Sequence, residues 1–397
     1  LWQLCLRYFF VYMLGSFTSH YDDCHYYWKS SPSKLLASGT AHVDDCCMGA
    51  KQAWLDDCRA KLEKQFGPVK RQVLPMMHVG MMYEKISGGG IHLHQEPYCL
   101  ALAPIVYDKT LDPAKECDAQ HQHLLMVCLG ALLYLCLTRW DLIVDIVIIQ
   151  QHVRKPNYEH LHLANLVMKR AKSNPRRGLK FLPLRPPLRL LDVSDASYAT
   201  KKTSYAIEGQ LNLLTTETTL KLRPGSNELP AKDFREFLSS SSAAHPLFGS
   251  GKTAKRISHS TSHAESLAKH SSSNHASMIA MRLTELACPL LHAITGKLRQ
   301  PTYDELLEME TDGHYDLPID SLTDCMDLMQ LVTGAKGVPQ DRTQRLLILS
   351  LREKLMVHKL RHFGWLRIKD MCANNLTKPD LKNQSLNLLM DTGKFTT

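Results

Sequence analysis

AHVDDCCMGA, residues 41–50, sets two adjacent carboxylates, Asp44 and Asp45, among small and apolar residues. Leu35 to Ala41 lead into the pair, and Cys46, Cys47, Gly49 and Ala50 follow it. A strand that reverses at the acidic pair and returns accounts for this composition, because Asp favours tight turns. An exposed pair is an ordinary surface turn. A buried pair needs a divalent cation or a basic partner to offset its charge.

The pattern extends outward from the turn. Residues 51–66 carry Ala53, Trp54, Leu55, Cys58, Leu62 and Phe66 at helical spacing, and Gly67-Pro68 stops the helix. Val73 to Glu84 and Ile91 to His94 read as two strands around the Gly88-Gly89-Gly90 turn. Helices fit 95–103, 121–137, 140–153 and 158–172, with Pro156 dividing the last two. Residues 1–34 read as aromatic and irregular. Prolines 175, 183, 186 and 187 with Gly178 mark a linker over 175–187, dividing a unit at 1–174 from one at 188–378. The second unit opens on a strand at 188–193, with hairpin strands near 203–208 and 211–216. Residues 221–258 read as a Pro-, Ser- and Lys-rich insertion, and 262–287, 324–333 and 339–362 as helices. Residues 379–397 read as a frayed polar tail. The fold class is α/β (mixed α+β).

The chain of 397 residues is 44% hydrophobic, with 48 Lys plus Arg against 39 Asp plus Glu, a formal charge of +9. That excess suits a polyanionic partner such as nucleic acid, although many proteins without one carry as much. Twelve cysteines include no Cys-x-x-Cys pair, which excludes a zinc ribbon or dithiol redox motif and points to a reducing, intracellular compartment. Leu124 to Leu137 is too short for the roughly 20 apolar residues of a membrane helix, so no membrane partner is expected. No signal peptide is visible, and the chain starts at Leu1, as a fragment would.

HVDD at 42–45, FGPVK at 66–70, HVGMMYE at 78–84, LHQEPY at 93–98, GALLYLCLTRWD at 130–141 and the segment around Pro156 to Leu161 occur in an order that resembles copia-type retrotransposon reverse transcriptase. The resemblance spans about residues 20 to 172. It implies a partial reverse-transcriptase palm, a primer-grip hairpin, and thumb or connection helices. Asp44 and Asp45 would then hold catalytic magnesium, with a template–primer duplex and deoxynucleotides as partners. The family's first palm aspartate lies well upstream of this turn. Only 43 residues precede Asp44, so that aspartate is expected to be missing, unless further Pol segments supply it. His42 stands where the family has Tyr.

Four later segments resemble the ribonuclease H domain that follows in the same elements. DVSDASYA places Asp195 at a strand end, KRISHSTSHAESLA places Glu265 in a first helical turn, and DSLTDCMDL places Asp324 before a helix. DMCANNLTKP places Asn374 where the family has an acid. The resemblance implies a mixed sheet flanked by helices and a two-Mg2+ site for cutting RNA–DNA hybrids. Carboxylates suit that chemistry because they can bridge two cations ~3.5–4 Å apart. Asn374 coordinates only through a neutral carbonyl, so metal binding and turnover are expected to be weakened. Ser260-Thr261-Ser262 before Glu265 also fits a helix capping box, and that reading stays open for Glu265 alone.

Arg345, Arg352, Lys354, Lys359 and Arg361 lie on the amphipathic segment 339–362. They read either as a solvated face or as a basic stripe for duplex phosphates. GSGKT at 249–253 lacks the first glycine of a P-loop, since Pro246 stands there. The pairs His92/His94, His121/His123 and His160/His162 lack any acid or cysteine spaced in sequence to complete a metal site. Two other classes remain: a nucleic-acid-binding remnant without turnover, and an unrelated metalloprotein that would purify with zinc.

Overall fold

The computed structural model describes residues 2–32, 34–198, 206–217, 241–287, 290–291, 294–312, 317–379 and 384–396. At the acidic pair the chain folds as its composition predicts. Strand β3 (Lys34–His42) turns at Val43-Asp44 and returns as β4 (Asp45–Ala50), with Asp45 opposite His42. Gly39 lies so close to β4 that a Cβ there would stand 2.8 Å from the Met48 side chain, so a small residue is required. Residues before the turn are more regular than their aromatic composition suggests. Trp2–Tyr8 is helical, and β1 (Phe17–Thr18) and β2 (His25–Ser31) complete a four-stranded sheet in the order β1-β2-β3-β4. The aromatic side chains supply the reason: Phe9, Phe10, Tyr26 and Trp28 form the core of this unit with Ala37 and Ala41.

The helix Gln52–Phe66 ends at Gly67, whose φ of +89° suits glycine. A second four-stranded sheet follows, β5 (Met76–His78), β6 (Met81–Ile86), β7 (Gly90–His94) and β8 (Leu179–Phe181). The single strand expected over Val73 to Glu84 is split by a turn at Val79-Gly80, where both residues have positive φ. Because β8 pairs with β7, the expected linker at 175–187 contains a sheet strand. Helices Glu96–Ala101, Ala119–Leu135, Ile143–Gln150 and Tyr158–Ser173 match the helical spacing seen in the sequence.

The largest sheet has the order β15-β14-β9-β10-β11-β16. Its members are β9 (Leu188–Ser197), β10 (Ile207–Thr216), β11 (Ser241–Thr253), β14 (Ile319–Thr323), β15 (His362–Trp365) and β16 (Lys394–Thr396). The intervening short pair is β12 (Leu290–Leu291) with β13 (Leu298–Arg299). β9, β10 and β11 are antiparallel neighbours, whereas β14 runs parallel to β9, and β15 parallel to β14. The helix Thr261–Ala287 packs on β9 and β10.

Three sequence expectations are corrected here. Residues 207–216 form one strand, not two hairpin strands, because Leu211 and Leu213 on this inner strand are wholly buried. The expected insertion 221–258 contains β11, and its part at 221–240 lies outside the described residues. Gly249 and Gly251 of GSGKT let that strand approach the first unit's helices. A Cβ at Gly249 would stand 2.4 Å from the Trp140 ring, and one at Gly251 2.6 Å from Ile143. The expected frayed tail instead carries the helix Ser385–Thr392 and β16, because Leu386, Leu389, Met390 and Phe395 are apolar and become buried.

The division at 175–187 does not separate two cores. One apolar cluster runs from Cys99 through the helices at 119–173 to β9, β10, Cys372 and Phe395. A smaller cluster lies between β14, β15 and the helices Met326–Thr333 and Arg342–Met356. Among the described residues every cysteine is free, and no helix is long and apolar enough to cross a membrane.

Candidate metal centre

Three acids converge at one end of the large sheet. β9 and β14 are adjacent and parallel, with Val193 paired to Leu322. Asp195 and Asp324 each lie two residues beyond that pair, so both carboxylates emerge at the same sheet edge. The first turns of the helix Thr261–Ala287 bring Glu265 against the end of β9, where the Ala196 amide donates to Glu265 Oε1 at 3.3 Å. An oxygen from each of Asp195, Glu265 and Asp324 lies within 4.8 Å of the other two. Asp195 and Glu265 are buried and Asp324 is half-buried. The capping-box alternative for Glu265 does not hold: Ser260 Oγ accepts from the His263 amide, and Ser262 Oγ accepts from Gln344.

Placing three carboxylates together away from water favours protonation. Burial, and then the charges of Asp195 and Asp324, push Glu265 well above its ordinary range. Burial and Asp195 push Asp324 up to about 6, against the opposing influence of Lys378 and Asn374. Glu265 Oε2 is buried with no hydrogen-bond partner among the described residues. The site therefore has room for positive charge, and its donors are the hard oxygens that suit Mg2+ or Ca2+.

Asn374 joins this group through the 3-10 turn Cys372–Leu376. Its Nδ2 donates to Asp324 Oδ2 at 3.4 Å and to the Ile368 carbonyl at 3.1 Å. Two residues with no role assigned from sequence complete the site. Lys378 Nζ lies 3.2 Å from Asp195 Oδ1 and 2.8 Å from Asn374 Oδ1, and Thr377 Oγ1 donates to Asp195 Oδ2. Their signal was positional: both follow Asn374 within one helical turn.

Beneath the carboxylates, one turn after Glu265, lies the fully buried Lys269. Its Nζ donates to the Leu322 carbonyl at 2.7 Å and the Asp192 carbonyl at 3.1 Å, and lies 3.4 Å from Asp192 Oδ2. Ser272 Oγ and Ser321 Oγ also donate to the Asp192 carboxylate. This network ties β9, β14 and the long helix together just below the site.

The other sequence candidates are placed elsewhere. Asp44 and Asp45 are exposed at their turn, and among the described residues they belong to no group of three potential ligands. Of the proposed basic stripe, Arg352, Lys354 and Arg361 are bonded within the protein. Arg352 donates to the carbonyls of Leu331 and Lys336, closing the end of the helix Met326–Thr333. Lys354 Nζ reaches Ser273 Oγ at 2.8 Å and Asn274 Oδ1 at 2.5 Å, and burial lowers it to about 8. Arg361 is bidentate to Asp320 at 3.0 and 2.9 Å and also reaches Glu217. Arg345 and Lys359 are half-buried.

The histidine pairs are also resolved. His160 reciprocally caps the helix Tyr158–Ser173 with Asn157, and His121 contacts the N-cap Asp118. His92 and His94 do acquire an acid. Glu84 stands directly across from His92 in the β6–β7 hairpin, and ligand atoms of all three lie within 4.8 Å of one another. Sequence spacing could not show this because the partner comes from the opposing strand. Burial, then His94 and Lys180, press His92 down to about 4.

No protein-family model matches the chain, and no curated protein matches it.

Proposed function

We propose that the large-sheet unit is a metal-dependent phosphodiesterase of ribonuclease H type, impaired in this copy, from a copia-type retrotransposon Pol polyprotein. The convergence of Asp195, Glu265 and Asp324 within 4.8 Å carries this reading. The sheet supports it: three antiparallel strands are followed by two that run parallel to the first, and the acids arise at strand and helix ends in the order read from sequence. An RNA–DNA hybrid is the proposed substrate and Mg2+ the proposed metal.

Asp195, Glu265 and Asp324 would hold the cations, with Asn374 contributing its amide oxygen. When bound, two divalent ions would generate a hydroxide-like nucleophile and stabilise the leaving oxygen. Thr377 orients Asp195 by hydrogen bonding, and the Ala196 amide orients Glu265. Lys378 holds a positive charge against Asp195 and Asn374, near where a scissile phosphate would need one. Three carboxylates and one lysine leave a formal charge of −2 to face two cations carrying +4. The second cation should therefore bind weakly and turnover should be slow.

Magnesium titration by calorimetry and a hybrid-cleavage assay test the reading together. Mg2+ binding lost in Asp195→Asn supports it, and binding unaffected by that change overturns it. Hybrid binding without cleavage would favour a nucleic-acid-binding remnant, a second reading motivated by Asn374 and Lys378. The exposed Asp44-Asp45 hairpin is the proposed vestige of a polymerase palm. Primer extension by this chain would show that it still works with what is present.

A further inference from the structure

We propose that Glu84, His92 and His94 form a binding site for a divalent transition metal of the zinc type, separate from the carboxylate centre. His92 and His94 alternate on β7, so both rings lie on one face of the sheet, and Glu84 on β6 faces them from the adjacent strand. The two imidazoles are buried, with ring centroids 4.8 Å apart.

His92 Nε2 has no hydrogen-bond partner among the described residues, and His94 Nε2 meets only Glu84 Oε1, at 3.4 Å. Two ligands each about 2.0–2.1 Å from a tetrahedral zinc stand about 3.3 Å apart, close to that separation. A buried imidazole nitrogen without a hydrogen-bond partner among the described residues, as His92 Nε2 is, is costly as a purely structural feature.

Part of the surroundings also suits a metal. Glu84 Oε2 accepts from Arg176, leaving Oε1 for the ion, in the way outer hydrogen bonds orient ligating carboxylates. Gly178 allows that arginine's segment to lie over the site, since a Cβ there would stand 2.1 Å from the Leu93 carbonyl and 2.9 Å from His94 Cβ. His92 also lines a cavity of about 330 Å³, whose cationic walls, Arg176, Arg177 and Lys180, oppose a bound cation. Imidazole and carboxylate donors in this number favour zinc over magnesium.

One rearrangement accompanies binding. His94 Nδ1 accepts the Glu96 amide at 3.2 Å, so the neutral ring carries its proton on Nε2. A metal on Nε2 shifts that proton to Nδ1 and releases the Glu96 contact, which weakens binding by the loss of that hydrogen bond.

The full chain, stripped of metal, is dialysed against zinc in excess Mg2+ and its bound zinc measured, with Co2+ absorption as a second readout. The expected result is one zinc per chain. It is retained in Asp195→Asn and lost in the His92→Gln/His94→Gln double variant, and cobalt gives an imidazole-ligated spectrum. Zinc below half-occupancy, or zinc retained by the folded double variant, overturns the proposal. Should the double variant misfold, Glu84→Gln decides: zinc affinity at least tenfold weaker supports the site, and unchanged affinity overturns it.

Discussion

Replacing Asn374 with Asp should restore the missing charge at the carboxylate centre. Asn374 is fully buried, so the new oxygens would remain near the positions its amide now occupies. One would face Asp324 Oδ2 across the present 3.4 Å contact, a repulsion of about 5 kcal/mol at an effective dielectric of about 20. The other would pair with Lys378 Nζ across 2.8 Å, an attraction of about 6 kcal/mol by the same reckoning. These nearly cancel. What remains is the Ile368 carbonyl, which loses its donor at a cost of about 1–3 kcal/mol. The metal-free variant should thus be modestly less stable. With a divalent ion about 4 Å from the new carboxylate, the same dielectric gives an attraction of about 8 kcal/mol. If only a fifth of that survives screening and rearrangement, magnesium affinity rises more than about tenfold. Calorimetric titration at pH 7.5, parent against Asn374→Asp, measures this, and hybrid cleavage should rise in parallel. A dissociation constant within threefold of the parent's, in a variant with native circular dichroism, would refute the reasoning.

The raised carboxyls predict an unusual pH response. Asp324 has an ordinary value of 3.8 and a folded value of about 6, so its protonation stabilises the fold. That contribution is complete below pH about 4 and is lost as pH rises through about 6, amounting to about 3 kcal/mol. Urea midpoints of the parent relative to Asp324→Asn should fall across that window without metal and recover with Mg2+; a constant difference would contradict it. Asp320→Ala should destabilise by about 3–5 kcal/mol, because it removes the carboxylate that Arg361 and Arg189 share, the latter 2% exposed and donating at 2.8 Å. A midpoint shift equivalent to less than about 1 kcal/mol would show the network to be dispensable. Neutralising Arg352, Lys354 and Arg361 together should lower stability and leave the salt dependence of hybrid binding unchanged. A shallower salt slope would instead mean that these side chains reach phosphates.

The order of the elements was largely legible because local signals suffice for it. The turn at Val43-Asp44, the glycine stop at Gly67 and the four helices between 96 and 173 follow from turn chemistry and helical spacing. Pairing across long separations was not legible. β8 is three residues in a proline-rich stretch, and only its partner β7 makes it a strand. β11 lies in a stretch that reads as a Pro-, Ser- and Lys-rich insertion, yet its Gly249 and Gly251 let Trp140 and Ile143 pack against it. The tail was judged by its polar residues, whereas four apolar ones decide its place. Asp195, Glu265, Asp324 and Asn374 could be named because the segments carrying them resemble a ribonuclease H domain, and Lys378 follows Asn374 within one helical turn. Glu84 could not: its role depends on a partner from the opposing strand that sequence distance does not encode. Within the basic stripe, helical spacing predicts a common face, but it does not reveal that carbonyls hold Arg352 and Asp320 holds Arg361.

Charge balance separates the carboxylate centre from the other buried acids. Asp192 has Lys269, Asp320 has Arg189 and Arg361, Glu208 has Lys252, and Asp370 has Arg367, while Glu285 accepts from Ser19, the His20 amide and Gln300. For Asp320 burial alone would raise the carboxyl, but hydrogen bonds from His362 and Arg361 with the charge of Arg361 hold it far below its ordinary value. Each of these acids has basic or hydrogen-bonding neighbours of its own. Among the described residues, Asp195, Glu265 and Asp324 share the ammonium of Lys378, and Glu265 keeps one oxygen without a hydrogen-bond partner. Lys269 does not make up the deficit, since its ammonium is committed to Asp192 and to two backbone carbonyls. Buried charge that is left under-neutralised is destabilising. Among the described residues, its persistence where three elements meet at the sheet edge is the physical reason this cluster could hold a cation.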